Sequence, residues 1–476
     1  MLKDKNKTVF FLFSFFFIAL NLVFIAYDIY YIAFLPVLIL FLFTAIISID
    51  KIFWLAVFFT PLSVRLDEFI PGIPVNLSLP TEPLLAGILV LFIFKLLLDG
   101  KFDRKILLHP ISIAIFINLT WIFITSITSS MPGVSFKFFL SRLWFIVSAY
   151  FLATHIFSNI KNIERFAWLY IIPLIIVIFY TNIRLSAYGL DNQHASNWVV
   201  TPFFSDHTSY GAMLVMFFFP VIYFASRKEK STLIKYLAIS VLFIFSIAIV
   251  LSYTRAAWLS LFAGAGLWIV IKLRIKIKYV LIAGIALIAL FFVVQNKIIY
   301  NLEKNESESS GKLSTHIESM ANITSDASNT ERINRWKCAI RMFREKPIFG
   351  FGPGTYVFQY APFQFSYDRT IISTDFGDLG NAHSEYLGPL SESGFFGMIS
   401  FMLIVFMAFR TGYKVYHNAK SKQIQNLALF IILGLATYFI HGFLNNFLDT
   451  DKASIPVWGF IAILVALDIY NERVLE

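Results

Sequence analysis

The feature that most constrains this chain is a series of apolar stretches, each about 18 to 22 residues long, that recur along most of its length. A helix of that length crosses the hydrocarbon core of a bilayer, where the backbone must satisfy its own hydrogen bonds. The composition agrees, because 58% of the residues are hydrophobic and only 14% are charged, against roughly 25% in soluble domains. The sequence therefore predicts an all-α polytopic membrane protein with about 12 to 14 transmembrane helices.

The chain contains about fourteen candidate spans, of which the third is short. They cover residues 9–26, 30–48, 52–64, 83–99, 110–128, 136–157, 165–183, 208–226, 233–252, 256–272, 278–294, 395–413, 425–443 and 455–470. The predicted domains are an N-terminal membrane bundle of about 11 spans (1–294), a large polar loop (295–392) and a C-terminal membrane bundle of about 3 spans (393–476).

Lys and Arg predict the orientation, because cytoplasmic loops of membrane proteins retain positive charge. If the N-terminus is inside, the basic loops near residues 101–105, 227–230, 272–278 and 410–422 also lie inside. Both termini are then cytoplasmic and the large polar loop faces out. The net charge of +10 follows from this bias and does not indicate a nucleic-acid partner. The single Cys338 excludes an internal disulfide and a cysteine-based metal site.

The polar loop contains one amphipathic segment, at residues 331–346. Ile333, Trp336, Ile340 and Phe343 share one face of the predicted helix, and Arg and Lys side chains border that face. Such a helix can lie in the membrane interface with its cationic groups near phosphate. The glycine-rich segment 350–354 follows as a turn and lacks the Gly-Lys-Ser/Thr of a phosphate-binding loop.

Arg255 stands at the predicted N-terminus of the tenth span, next to the positive end of the helix dipole. That position is unfavourable for a cation, by roughly 0.3 to 1 kcal/mol, unless an anion neutralises both. The position therefore suits a phosphate. An interfacial Arg that extends to lipid headgroups is an equally good interpretation of this residue alone.

His383, Arg332 and Arg335 are further candidates in the loop. Taken singly, each is explained by a solvated helix edge or a hydrogen-bonded loop histidine. In combination they suggest chemistry, because a neutral imidazole can accept a proton while guanidinium groups hold a leaving phosphate.

Other polar residues give weaker signals. The histidines on the predicted outer side, at positions 194, 207, 316 and 441, have no i, i+4 pair, so a zinc site is not indicated. Asp449-Thr450-Asp451 could hold a divalent metal, but solvated loop acids explain it better. Arg65 and Arg142 could line a substrate groove or anchor the chain at the interface. We predict no metal and no cofactor.

Five motifs in the second half of the chain, considered together, resemble those of the O-antigen ligase and O-antigen polymerase family of bacterial envelope proteins. In order, they are Thr254-Arg255-Ala256-Ala257-Trp258; Arg332 four residues before Trp336; Pro347-Ile348-Phe349-Gly350-Phe351-Gly352-Pro353-Gly354; Ala382-His383-Ser384-Glu385-Tyr386-Leu387; and Glu392-Ser393-Gly394-Phe395-Phe396-Gly397. The resemblance covers about residues 250–400. After His383 this chain has Ser384-Glu385 where the family more often has Asn.

The resemblance implies a metal-independent inverting glycosyltransferase of the GT-C type in the bacterial plasma membrane, with an undecaprenyl-pyrophosphate-linked oligosaccharide as donor. His383 then matches the essential catalytic histidine. Arg255 and Arg332 match the arginines that hold pyrophosphate, with Arg335 a competitor for the second role. Tyr386 and Glu392 join Arg65 and Arg142 as groove candidates. The acceptor is left open between a glycan chain, lipid A core and a protein hydroxyl.

The alternative from another class is a transporter or flippase of lipid-linked glycan. Inverted repeats and broken helices with charges near mid-membrane would indicate such a protein. The polar residues instead gather at the predicted outer surface, which favours chemistry at the membrane surface.

Overall fold

The computed structural model describes residues 2–26, 48–66, 77–100, 102–227, 232–275, 327–370 and 380–470, together with residues 279, 282 and 373. They belong to two compact units, Met1–Phe53 and Trp54–Glu476. Nearly all regular secondary structure is helical, and ten helices of the described part are long and apolar enough to cross a membrane. The prediction of an all-α polytopic membrane protein is confirmed.

The helices are numbered in chain order. They are α1 (Leu2–Ala26), α2 (Ile49–Phe59), α3 (Thr81–Asp99), α4 (Arg104–Leu107), α5 (Pro110–Ile127), α6 (Pro132–Ile146), α7 (Ala153–Ile156), α8 (Ile160–Ser186), α9 (Gln193–Ser196), α10 (His207–Ser226), α11 (Thr232–Leu251), α12 (Arg255–Lys272), α13 (Ala327–Glu345), α14 (Tyr356–Gln359), α15 (Leu387–Asn418), α16 (Lys422–His441) and α17 (Asp451–Tyr470). A π-helical turn, Val147–Leu152, joins α6 to α7. Short 3₁₀ turns cover Thr60–Leu62, Ala361–Phe363 and Ser366–Asp368. Strands β1 (Val64–Arg65) and β2 (Ser78–Leu79) pair antiparallel.

Each of the ten spanning helices overlaps one predicted span. The prediction of a span at 52–64 is wrong, because α2 ends at Phe59 and a 3₁₀ turn and strand β1 follow. Its 11 residues extend about 16 Å, short of the roughly 30 Å hydrocarbon core. Helix α1 contains the predicted span 9–26, and its apolar part is Ser14–Ala26. The predicted spans 30–48 and 278–294 lie almost wholly outside the described residues.

Three helices form the interior of the second unit. In α10 and in α17, 83% of the spanning window is buried, whereas only 22% is buried in α12. In α16, the third of these helices, 78% is buried. Helix α16 packs closely against α10 at Gly434, where an added Cβ would lie 2.6 Å from the Met216 carbonyl oxygen. Small residues permit such close approach of spanning helices.

The starts of α10 and α12 lie side by side. Asp206 caps α10, because its Oδ1 accepts hydrogen bonds from the backbone N–H groups of Thr208 and Ser209, both at 2.8 Å. Thr254 precedes α12 and does not cap it; its Oγ1 donates to the His207 carbonyl oxygen at 2.8 Å. This bond places Arg255, the first residue of α12, next to the capped end of α10.

The glycine-rich turn after α13 docks onto a kink in α15. Gly394, with φ 69°, interrupts α15, and the N–H of Phe395 donates to the Pro347 carbonyl oxygen at 2.9 Å. The N–H of Gly352 donates to the Glu392 carbonyl oxygen at 2.7 Å. A Cβ at Gly394 would overlap the Ile348 carbonyl, so this position requires glycine for both space and conformation. The kink thereby joins the loop to the membrane bundle.

We predict that Gly394→Ala lowers the thermal unfolding midpoint of the detergent-solubilised protein clearly below that of the wild type. A left-handed non-glycine residue alone costs about 1–3 kcal/mol, and the overlap with Ile348 adds to that. Gly266→Ala in α12 is the matched control, because a Cβ there meets nothing within 4 Å. Equal midpoints for the two variants would contradict the docked turn.

Candidate active site

Helix α13 confirms the amphipathic helix predicted at 331–346 and begins four residues earlier. The side that packs into the protein differs from the predicted apolar face. Its buried residues are Glu331, Asn334, Arg335, Cys338, Ala339 and Met342, and the last three form a core with Phe351, Tyr356, Tyr360 and Ala382. The predicted face is only partly covered, and Ile340 is 38% exposed. Polar residues can occupy the buried side because they form hydrogen bonds and an ion pair with one another and with nearby loop residues.

Arg335 belongs to this buried network. Its Nε donates to Glu331 Oε1 at 2.6 Å, and its guanidinium lies over the Tyr360 ring at 4.0 Å. Glu331 also accepts from Thr370 Oγ1 at 2.9 Å. Burial alone would raise the pKa of Glu331, but the hydrogen bonds from its neighbours, together with the charge of Arg335, lower it. Arg335 thus stabilises the folded loop by holding residues after 360 against α13.

His383 lies in a constrained loop immediately before α15. Its φ of 47° is left-handed, an uncommon conformation for a residue other than glycine. Its backbone N–H donates to Asn381 Oδ1 at 3.0 Å, and its carbonyl oxygen accepts from Trp336 Nε1 at 3.2 Å. Arg332 lies one turn before Trp336 on the same side of α13. The bond from Trp336 therefore brings Arg332 towards His383.

The electrostatic surroundings of His383 keep its ring neutral. Burial, and then the positive charges of Arg332 and Arg335, lower the pKa of His383 to about 4. The carboxylates of Asp206 and Glu331 offset this in part. At neutral pH the imidazole is therefore uncharged and able to accept a proton.

Arg255 completes the group of sequence-predicted residues that the fold brings together. Both Arg255 and Arg332 lie within electrostatic range of the His207 ring at the start of α10. Arg332 is also the charged group that lowers the pKa of His383 most. Arg255, Arg332 and His383 come from α12, α13 and the loop before α15, and all three converge near the start of α10.

Two further histidines at this place were not singled out as site residues from sequence. His441, at the end of α16, is 2% exposed and lies 3.0 Å from Asn445 through its Nε2. The Nδ1 atoms of His207 and His441 are buried without a hydrogen-bond partner among the residues that the structure describes. Their positions at predicted outer ends of spans were the available signal, but spacing along the chain does not show that they meet.

Of the four groove candidates, two line the same cavity and two lie elsewhere. Arg142 and Glu392 line a cavity of about 130 Å³ beside the His383 loop. Tyr386 points elsewhere: its hydroxyl donates to the Phe439 carbonyl oxygen at 2.9 Å, and its ring stacks on Phe443. Arg65 lies in strand β1 opposite Ser78 and is not part of the cavity wall.

The two acids of the Asp449-Thr450-Asp451 motif have different partners. Asp449 Oδ1 accepts from Arg142 Nη2 at 2.6 Å, and its side chain is 45% exposed. Asp451 is buried and accepts from the Ser63 hydroxyl. Solvation therefore does not explain Asp451. Across the described parts of the chain, no three His, Cys, Asp or Glu side chains are grouped as ligands for a metal ion.

The fold and the site together define a multi-pass helical membrane protein with arginine and histidine side chains gathered near the start of α10. Residues 239–402 of the chain match the family model described as O-antigen ligase. That range contains α12, α13, the glycine-rich turn and the His383 motif, and it confirms the resemblance to the O-antigen ligase family. No curated protein matches the chain.

We predict that Arg335→Ala destabilises the protein, because it leaves the buried Glu331 carboxylate without its cation. Removing one partner of a buried pair costs about 3–5 kcal/mol. The thermal unfolding midpoint in detergent should fall, whereas Arg344→Ala, at the exposed end of the same helix, should leave it unchanged. A normal midpoint for Arg335→Ala would mean that the buried pair does not support the fold.

Proposed function

We propose that the protein is a glycosyltransferase that moves glycan from an undecaprenyl-pyrophosphate donor to a hydroxyl acceptor at the outer face of the bacterial plasma membrane, with both termini in the cytoplasm. The O-antigen ligase match supports this class of reaction. The convergence of Arg255, Arg332 and a neutral His383 carries the assignment of the site. The proposed orientation follows from the distribution of Lys and Arg.

The two arginines would hold the pyrophosphate of the donor. Guanidinium groups bind phosphate through paired charge-assisted hydrogen bonds, and the start of α12 adds the positive end of a helix dipole at Arg255. As the bond between the anomeric carbon and pyrophosphate breaks, negative charge grows on the leaving oxygen. Arg255 and Arg332 stabilise that charge most strongly in the transition state, which lowers the barrier.

His383 would act on the acceptor. The acceptor oxygen attacks the anomeric carbon on the side opposite the pyrophosphate, so the configuration inverts. His383 accepts the hydroxyl proton as the new carbon–oxygen bond forms, and the lipid pyrophosphate leaves with the electron pair of the old bond. No metal takes part in this proposal.

Donor binding should also change the pKa of His383. In the free protein, burial and Arg332 keep the pKa of His383 at about 4. A bound pyrophosphate would offset the charge of Arg332 and so raise the pKa of His383 towards its ordinary value. The histidine would then become a stronger base only when there is a donor to react with.

The first test is transfer by purified protein in liposomes with undecaprenyl-pyrophosphate oligosaccharide and separate glycan, lipid A-core and protein acceptors, without nucleotide and with chelator. We expect transfer, and a fall of at least about 100-fold for His383→Ala. Arg255→Lys, which keeps the charge but loses the paired geometry, should fall by about 10- to 100-fold. His194→Ala, an exposed histidine in α9, is the control.

Several outcomes would contradict the proposal. Near-normal transfer by His383→Ala would exclude its role as base. Dependence on added magnesium or manganese would exclude the metal-free mechanism. Movement of donor across the bilayer without transfer would favour the flippase alternative.

The second test is the pH dependence of kcat/KM for the donor, which reports the ionisation of the protein before the donor binds. The base must be deprotonated, and its pKa is lowered to about 4. Activity should therefore hold as the pH falls through about 6.5 and be lost only on approach to about 4. In Arg332→Ala the residual activity should be lost at a higher pH, because a neighbouring positive charge is gone. A wild-type profile that falls near 6.5 would contradict the buried, neutral histidine.

A further inference from the structure

The cavity beside His383 is walled by the same loop that carries the proposed base. Asn381 and Ala382, before His383, and Ser384 and Glu385, after it, all line the cavity. A hydroxyl group must come within hydrogen-bond reach of a base to lose its proton to it. A molecule seated in this cavity is therefore close to the segment from which His383 acts.

The cavity is lined by groups that bind hydroxyls. They include carboxyl groups of Glu385, Glu392 and Asp449, and the amide of Asn446. The Asn446 Oδ1 atom is buried and has no hydrogen-bond partner among the described residues. Buried polar atoms normally have a partner, so an acceptor atom in this state suits a donor supplied by a ligand.

The size and the remaining walls fit one sugar ring. The volume of about 130 Å³ is many times the roughly 10–15 Å³ of cavity that a single water molecule needs. Phe138 and Tyr356 also line the cavity, and the N–H of Tyr356 donates to Glu392 Oε1 at 2.9 Å. A sugar ring carries hydroxyl groups at its edge, which polar side chains bind, and apolar C–H groups on its face, which aromatic side chains cover.

The charge of the cavity restricts which sugar it can take. Of the side chains that line it in the described part of the chain, three are acidic and one is basic. The basic one, Arg142, is engaged by Asp449 at 2.6 Å and by the Leu448 carbonyl oxygen at 3.3 Å. Burial raises the pKa of Glu385 to about 7, so the lining is neutral to negative near neutral pH, and a phosphate or carboxylate would meet repulsion.

We infer that this cavity binds the terminal sugar of the acceptor and selects a neutral or amino-bearing sugar over a phosphorylated or acidic one. The inference rests on the proposed function, because it names the acceptor for the same site. It separates the two substrates by charge: arginines hold the anionic donor, and carboxyl groups hold the acceptor. A glycan chain that ends in an uncharged or amino sugar fits this cavity.

The test uses Asp449→Asn in the full-length protein, with Glu345→Gln at the exposed end of α13 as the matched control. The variant removes one carboxylate and releases Arg142 from its ion pair. We expect the KM for a neutral acceptor glycan to rise by about 10- to 100-fold, as for the loss of a charge-assisted hydrogen bond. Binding of undecaprenyl pyrophosphate should stay unchanged. The preference for the neutral glycan over its phosphorylated analogue, as a ratio of kcat/KM values, should fall by at least about 10-fold.

The outcomes distinguish this inference from the proposed function. Transfer that continues with an unchanged KM and an unchanged preference in Asp449→Asn would overturn the acceptor site alone. So would a wild-type preference for the phosphorylated glycan. Direct binding of the free neutral glycan, measured by saturation-transfer NMR, does not depend on turnover. If no acceptor is glycosylated at all, the proposed function fails, and loss of glycan binding in Asp449→Asn but not in Glu345→Gln would still support the cavity as a sugar site.

Discussion

The buried carboxylate of Glu385 is the interaction on which the candidate site depends most. Its Oε1 accepts hydrogen bonds from the Tyr438 hydroxyl at 2.6 Å and from the N–H groups of Phe447 and Leu448 at 2.7 and 2.8 Å. Its own N–H donates to the Gly442 carbonyl oxygen at 2.8 Å. A single side chain thus joins the loop before α15 to the connection between α16 and α17. His383, two residues earlier in a left-handed conformation, is held by that anchor.

The same connection explains how two opposite electrostatic environments exist within one loop. Arg332 acts on the His383 ring, whereas the residues before and after His383, from Asn381 to Glu385, line the cavity that contains the carboxyl groups. The buried ring stays neutral because charging it would cost desolvation and would meet the arginines. A neutral base near both a cationic and an acidic region is suited to a reaction in which an anion departs and a hydroxyl loses its proton.

Local pattern was sufficient to predict much of this arrangement. Apolar length predicts the ten described spans, and the i, i+3, i+4 spacing predicts α13, because both depend only on neighbours in the chain. The anchoring role of Glu385, the pairing of Arg142 with Asp449 and the burial of His441 depend on contacts between residues far apart in sequence. The false span at 52–64 has the same origin, because its apolar residues pack as a short helix and turn.

Arg332 and Arg335 are two neighbouring arginines whose different roles follow from their positions on helix α13 and not from the sequence pattern. They are three residues apart and equally basic, so sequence alone left both as candidates for the phosphate. In α13, Arg335 is one turn after Glu331 and is buried with it, so its charge is paired with that carboxylate inside the fold. Arg332 is one turn before Trp336, whose indole N–H is bonded to the His383 carbonyl oxygen. An arginine whose charge is already neutralised by a buried carboxylate is poorly suited to bind a second anion, so Arg332 is the better candidate to hold the pyrophosphate.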